Sequence, residues 1–236
     1  EIDYAKYLKT KRIYTLIKVD NDSDIDLLKR PSHKAKAAIY KLRNRLDLYF
    51  HRYMPKEEAG LLSAMMLGLR SSVSQQERGV FIRTGTAHIL SISGLHLGII
   101  AFIFFFLMRF LRVQHKTAAV TVILFIWVYV VLAGERTPLI RAAMMITVYL
   151  AALILDRQTD IYNSISLAGI ILLAINPLNL FDAGFVLSFA CVFSIVYLTP
   201  KIERLFRAEK APKQVRFLTK PAVVSIAVYI GSAPII

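Results

Sequence analysis

The stretch ILSISGLHLGIIAFIFFFL, residues 89–107, decides the fold, because it holds no Asp, Glu, Lys or Arg. As an α-helix its 19 residues would rise about 1.5 Å each, enough to cross the hydrocarbon core of a bilayer. Four further apolar segments follow, and a sixth begins at residue 222: residues 117–133, 139–155, 161–175 and 180–198. The sequence therefore predicts an all-α fold, a polytopic transmembrane helix bundle of about six spans, the last one truncated.

Composition separates the chain from soluble domains and indicates an anionic partner. Hydrophobic residues make up 56% of the sequence, against 45–50% in typical soluble domains. The net charge of +14 favours nucleic acid or lipid headgroups as partners. The single cysteine, Cys191, lies in an apolar segment and excludes an intrachain disulfide. The chain begins at Glu1 and stops within an apolar stretch, so we expect an interior part of a longer protein.

Three regions are predicted along the chain. Residues 1–30 hold one short strand-like run and are too few to fold alone. Residues 31–88 predict short amphipathic helices: one over 33–53, one from Pro55 to about Gly68, and one that starts at the capping-box residue Ser74. The first helix has a basic side and an aromatic side. It would either lie on a membrane surface or pack against a neighbouring helix. Residues 89–236 form the transmembrane region.

Charges between the apolar segments give an orientation. Basic residues follow the first, third and fifth segments, and residues 200–220 alone carry a net charge of +5. By the positive-inside rule these ends are cytoplasmic, which places residues 1–88, with their net charge of +7, outside the cell. An outer basic surface would attract a polyanion, with an affinity that falls as salt rises. Its predicted members are Lys34, Lys36, Lys41, Arg43 and Arg45.

Polar side chains gather at the start of the first apolar segment, namely His88, Ser91, Ser93 and His96. Burying them in hydrocarbon is costly unless they are paired or line water. Three interpretations remain open: hydrogen bonds across a helix interface, the lining of a hydrophilic path, or hydrolysis with Ser93 as nucleophile and a histidine as base. On a helix, His88, Ser93 and His96 would share one sector.

Small and charged residues complete the set of candidates. Gly94 and Gly98 have the spacing that permits close helix packing. Arg141 lies near the predicted outer end of the third span, close in sequence to Glu135 and Arg136. It would reach the interface, pair with Glu135, or contact a phosphate at the mouth of a path. We find no ligand set for a metal and expect no cofactor.

Several stretches resemble the ComEC/Rec2 family of competence proteins. The longest is Gly85–His96, GTAHILSISGLH, and it is supported by Leu67–Ser71, by Ala133-Gly134 with Arg141-Ala142, and by residues 176–189. The segment around Ile2-Asp3-Tyr4 is similar to the tail of the family's upstream OB-fold region. Departures from the family pattern occur where Leu69 replaces Asp and Val186 replaces Gln. At Ile2 the family usually has Phe, and at Arg12 it has Gly.

The resemblance implies a competence domain, a membrane channel segment that imports single-stranded DNA across the cytoplasmic membrane of a bacterium during natural transformation. Residues 1–30 would then be the tail of an OB-fold-like region. The expected partners are single-stranded DNA, the lipid bilayer, a DNA receptor and a cytoplasmic ATPase, and one chain or several could enclose the path. We expect no enzyme activity from these residues. The alternatives are a permease for a small anionic solute and an intramembrane serine hydrolase.

Overall fold

The regular structure of the protein is helical throughout the part that can be described. A computed structural model describes residues 34–84, 92–157, 160–205 and 223–229. The α-helices are α1 (Lys34–Tyr53), α2 (Lys56–Leu67), α3 (Gln75–Arg83), α4 (Gly94–Phe110), α5 (His115–Leu132), α6 (Thr137–Ile154), α7 (Ile161–Ile175) and α8 (Ala183–Leu205). Short 3₁₀ turns span Arg70–Ser72 and Pro177–Phe181, and residues 223–229 are also helical. The all-α prediction is confirmed for these ranges.

Three of the helices, α5, α6 and α8, are long and apolar enough to cross a membrane. Helices α4 and α7 are apolar but shorter, with 17 and 15 residues. The bounds of α7 are those predicted, and α5 and α6 begin within two residues of the predicted starts. Helix α8 starts three residues later than predicted, because a 3₁₀ turn occupies Pro177–Phe181. The chain is thus a membrane protein with several apolar helices.

The start of α4 differs from the prediction. Ser93 has extended backbone angles, with φ −102° and ψ 161°, and its side chain accepts a hydrogen bond from the backbone N–H of His96. Ser93 is therefore the N-cap at which α4 begins, and the prediction of a helix that runs from residue 89 through Ser93 is wrong. Ser93 and His96 therefore do not share a helix face. Residues 85–91 lie outside the described part of the chain.

The local signals for α2 and α3 are confirmed. Helix α2 follows Pro55, has Glu57 and Glu58 in its first turn, and ends at Gly68, which is left-handed with φ +71°. Helix α3 begins with a complete capping box: the backbone N–H of Glu77 donates to Ser74 Oγ at 3.2 Å, and that of Ser74 donates to Glu77 Oε2 at 2.8 Å.

The described residues form two compact units. Unit 1 contains those up to Gln114 together with Thr121–Ala143. Here α1 packs on α2, and the aromatic rings of Phe104 in α4 and Phe125 in α5 stack at 4.4 Å. This unit crosses the predicted boundary at residue 88, because α1 and α2 contact residues 129–136.

Unit 2 contains His115–Val120 together with the described residues from Met144 onward. Helices α7 and α8 pack together, and Tyr162 meets Phe193 edge to face at 5.6 Å. Lys116 Nζ lies 2.5 Å from the Asp156 carboxylate, which ties the start of α5 to the end of α6. The predicted OB-fold tail, residues 1–30, lies outside the described residues, as does most of the basic segment 200–220.

Candidate functional site

Three stretches that are distant in sequence meet in unit 1. A Cβ atom added to Gly68 would lie 2.5 Å from the carbonyl oxygen of Ala133 and 3.4 Å from Cδ1 of Ile92. A Cβ on Gly94 would lie 3.1 Å from Cβ of Ala142. The end of α2, the start of α4 and the α5–α6 loop are therefore in direct contact. We call this region, residues 66–68, 92–96 and 129–142, the motif junction.

The C-terminus of α2 is capped by side chains from elsewhere in the unit. Its carbonyls at residues 66–68 each accept a hydrogen bond. Tyr129 donates to the first at 3.0 Å, Arg43 to the second at 2.7 and 3.0 Å, and Arg136 to the third at 2.9 Å. The last carbonyls of a helix lack partners within the helix and carry partial negative charge, so two guanidinium groups are favourable there.

Arg43 lies within the packing of unit 1. Burial lowers the pKa of its guanidinium, which nevertheless stays charged at neutral pH. Gly134 leaves room for this group, because a Cβ there would lie 3.2 Å from Nη2 of Arg43. The prediction placed Arg43 on an outer basic surface. Arg43 instead donates hydrogen bonds to the Leu67 carbonyl oxygen, and these bonds hold α1 against α2.

Lys36 is also engaged within the unit. Its Nζ lies 2.7 Å from the Glu135 carboxylate, and this hydrogen bond raises the pKa of the lysine. Both side chains are partly exposed, so the pair adds little stability. Of the predicted outer basic surface, Lys41 and Arg45 are exposed, whereas the side chain of Lys34 lies outside the described part.

The N-terminus of α4 contains a hydrogen-bonded pair of predicted site residues. Ser93 Oγ lies 2.8 Å from Nδ1 of His96. The same hydroxyl caps the helix, so the pair is local to one turn. Gly94 contacts α6, but nothing lies within 4 Å of a Cβ placed on Gly98. Among the described residues, only the first glycine of the predicted pair lies close to a neighbouring helix.

Arg141 is a buried charge at the motif junction. It is 7% exposed and stands one residue before Ala142, the α6 residue closest to Gly94. It takes part in an interaction within the protein. Burial argues against the interpretation that its side chain extends to an interface. Glu135, its predicted partner, pairs with Lys36.

Ser93, Gly94 and His96 lie together at the start of α4. Gly94 lies against Ala142, the residue that follows Arg141, and Glu135 and Arg136 lie in the α5–α6 loop of the same junction. His88 and Ser91 lie outside the described residues. Sequence reasoning missed the capping role of Tyr129 and the backbone carbonyls at 66–68, since a backbone acceptor leaves no signal in side-chain identity. No group of three or more potential metal ligands occurs among the described residues.

Comparison with known proteins connects this junction to a family. The profile of the family described as "Competence protein" matches residues 65–236, which include all three stretches. ComE operon protein 3 of Bacillus subtilis is 30% identical over 237 residues, covering 99% of this chain and 28% of that protein. Recombination protein 2 of Haemophilus influenzae is 31% identical over 140 residues, covering 56% of this chain and 18% of that protein.

The chain thus spans less than a third of the length of either relative. No solved structure matches it. The family profile covers well over half of the sequence and includes the whole motif junction. The resemblance in Gly85–His96 and in the stretches around Gly68 and Gly134 is therefore explained by descent: the chain belongs to the competence protein family.

Proposed function

We propose that this chain is a channel segment that imports single-stranded DNA across the cytoplasmic membrane during natural transformation. Membership of the competence family and the succession of apolar helices support the proposal. The DNA would approach from the side of residues 1–88, which the positive-inside rule predicts to be outside the cell. A DNA receptor would deliver the strand, and a cytoplasmic ATPase would supply the driving force.

The observation that carries the proposal is the buried Arg141 at a junction of three family-like stretches. A charged side chain within a membrane protein is expensive to bury and usually marks a substrate or ion pathway. A guanidinium suits a phosphate, because its planar donors match the phosphate oxygens. Ser93 and His96 add polar groups at the neighbouring helix start. Together these residues would line part of the path that shields phosphates from lipid.

The test is DNA uptake by cells whose complete protein carries Arg141→Ala, His96→Ala or His88→Ala. We expect uptake to fall about tenfold or more, which corresponds to the loss of one charge-assisted hydrogen bond in the transport barrier. Arg157→Ala is the matched control, because this arginine is exposed in the predicted cytoplasmic loop after α6. Protein levels are followed by immunoblotting of membranes. Normal uptake in all three variants at normal protein levels would contradict the pore-lining assignment.

A serine hydrolase remains the second candidate, because Ser93 Oγ lies 2.8 Å from a histidine nitrogen. Ser93→Asn separates the two functions. Asparagine is a good N-cap but provides no nucleophile. DNA uptake that survives this change assigns Ser93 to capping, whereas loss of a hydrolytic activity with intact uptake favours the enzyme. A permease would instead show transport of a small anion that depends on Arg141 in the absence of DNA.

A further inference from the structure

The solvent-facing side of α1 carries a compact set of cations and tyrosines. At 100° per residue, Lys41, Arg45 and Arg52 fall within a sector of about 40°. Tyr49 and Tyr53 occupy the adjacent sector and are 55% and 75% exposed. We call these five residues the outer face of α1. It is distinct from the side that holds Arg43.

The rings of the two exposed tyrosines lie nearly parallel to each other. Their ring centroids are 6.3 Å apart, and the ring planes are within 10° of parallel. The guanidinium carbon of Arg52 lies 6.0 Å from the centroid of Tyr53. Beside them Arg45, Leu48, Tyr49 and Arg52 line a shallow depression of about 270 Å³. The ring of Tyr49 and two guanidinium groups therefore border one open depression.

The charge of this face is not balanced within the helix. Asp47 is the only acidic residue of α1. It lies on the opposite side, where its carboxylate accepts a hydrogen bond of 2.5 Å from the Ser63 hydroxyl of α2. The outer face therefore combines three cations with two aromatic rings, and the helix offers them no carboxylate. Its complement is an anion that also carries flat apolar surfaces.

A bilayer surface fits this pattern less well. A helix that lies on a membrane places an apolar stripe at the centre of its contact face and cations at the borders. In α1 the cations occupy the middle of the exposed sector, with Leu48 on one side and the tyrosines together with Leu42 on the other. Single-stranded nucleic acid offers the matching features, since phosphates pair with cations while unpaired bases stack on aromatic rings.

We propose that the outer face of α1 is a binding site for a single-stranded polynucleotide. Tyr49 and Tyr53 stack on bases, and Arg45 and Arg52 contact phosphates. This inference rests on the proposed function, because the import of single-stranded DNA supplies the ligand. It adds a base-stacking site outside the membrane helices, where a strand would be held before it enters the path.

The experiment compares two fluorescent oligonucleotides of equal length, oligo(dT) and an abasic strand with the same phosphates, binding to the complete protein in detergent micelles. Tyr49→Ala and Tyr53→Ala should each weaken binding of oligo(dT) about tenfold and leave the abasic strand unaffected. Tyr49→Phe and Tyr53→Phe retain the rings and should bind like wild type. Tyr49→Leu and Tyr53→Leu keep apolar bulk without a ring and should resemble the alanine variants.

Arginine variants test the phosphate contacts. Arg45→Gln and Arg52→Gln should weaken binding of both strands, and each should reduce the slope of log K against log salt by about 0.7. Arg83→Gln is the matched control, because it removes the same charge from the exposed end of α3. A control variant that weakens binding as strongly as Arg45→Gln would indicate diffuse charge attraction and overturn the site.

An equal loss of affinity for oligo(dT) and for the abasic strand in the tyrosine variants would also overturn base stacking. Trypsin digestion of the protein in lipid nanodiscs adds a further measurement. If oligo(dT) protects Arg45 and Arg52 from cleavage, the site is supported. If anionic lipid alone protects them, the outer face of α1 is a membrane contact and the proposal is overturned. Unchanged oligo(dT) affinity in the tyrosine variants, with DNA uptake intact, would reject this inference but not the proposed function. Two results together would reject both this inference and the proposed function. The wild-type protein would bind neither strand, and cells would keep their DNA uptake after deletion of the gene.

Discussion

Gly68 is a residue at which two backbone segments of unit 1 pack closely against each other. Its left-handed φ of +71° ends α2 and turns its backbone against Ala133. A side chain there meets two obstacles: the left-handed conformation costs an L-residue about 1–2 kcal/mol, and the added Cβ would lie 2.5 Å from a backbone oxygen. A backbone oxygen cannot rotate away as a flexible side chain can.

We therefore predict that Gly68→Ala lowers the free energy of unfolding by about 2 kcal/mol or more. The measurement is thermal unfolding of the purified protein in detergent. Gly79→Ala is the matched control, because Gly79 is inside α3 and nothing lies within 4 Å of a Cβ there. Alanine at position 79 should be neutral or stabilise by about 0.5–1 kcal/mol. Equal melting temperatures for the two variants would contradict the close contact at Gly68.

The basic residues of α1 show what sequence periodicity could and could not predict. Periodicity placed a helix over 33–53 and separated its basic and aromatic sides. It could not tell Arg43 from Arg45, because the partner of Arg43 is a backbone carbonyl 24 residues away. Every residue has such a carbonyl, so nothing in the amino-acid pattern identifies the one that accepts. Likewise, Lys36 can pair with Glu135 only because the fold of unit 1 positions the α5–α6 loop beside α1.

Among the elements, α3 depends on a capping box that includes an ionisable group. Hydrogen bonds from the Ser74 side chain and backbone lower the pKa of Glu77 below its ordinary value of 4.5. A carboxyl whose pKa is lower in the folded state stabilises that state above the unfolded pKa, and the contribution is lost as pH falls through the folded pKa. The cap should therefore be intact at neutral pH and weaken below pH 4.5.

Hydrogen exchange of the α3 amides, corrected for intrinsic rates, should show this loss. In the wild-type protein, protection of Gln75–Arg83 should decrease between about pH 5 and pH 3. Glu77→Gln keeps a hydrogen-bonding cap but does not titrate, so its protection should stay constant over that interval. A wild-type pH dependence that persists in Glu77→Gln would assign the effect to another group.

Helix α4 provides a test of how closely two apolar helices approach. Gly94→Leu should destabilise the protein by about 1–3 kcal/mol, because its Cβ alone would lie 3.1 Å from Ala142. Gly98→Leu is the control and should be tolerated, since a Cβ there meets nothing within 4 Å and leucine favours a helix over glycine. Thermal unfolding in detergent compares them. A comparable loss in both variants would support the predicted packing role of Gly98.

The agreement for whole helices and the failure at α4 have one physical explanation. The length of the apolar segment and the Asn176-Pro177 pair after it predicted both ends of α7. Both signals are local, because hydrophobicity and proline can be recognised in the sequence of the segment itself. The start of α4 was missed because residues 89–92 are as apolar as the helix that follows. The signal that decides the boundary is a polar contact, the Ser93 hydroxyl on the His96 backbone N–H. Hydropathy alone cannot detect it.

At the scale of the whole molecule, orientation in the membrane is the property that the proposed function most depends on. The outer face of α1 can hold incoming DNA only if residues 34–84 are outside the cell. Cationic loops are retained in the cytoplasm, and the exposed Arg157 follows the third apolar segment. The same rule predicts that Arg83 and the 3₁₀ turn Pro177–Phe181 are outside.

Cysteine labelling tests this orientation, because Cys191 is the only cysteine of the sequence. In a Cys191→Ala background, Arg83→Cys and Leu178→Cys should react with a membrane-impermeant maleimide added to intact cells. Arg157→Cys should react only after the cells are made permeable. All three side chains are exposed, so a failure to react reports the side of the membrane and not burial within the protein. Labelling of Arg157→Cys in intact cells, with Arg83→Cys protected, would invert the topology and move the outer face of α1 to the cytoplasm.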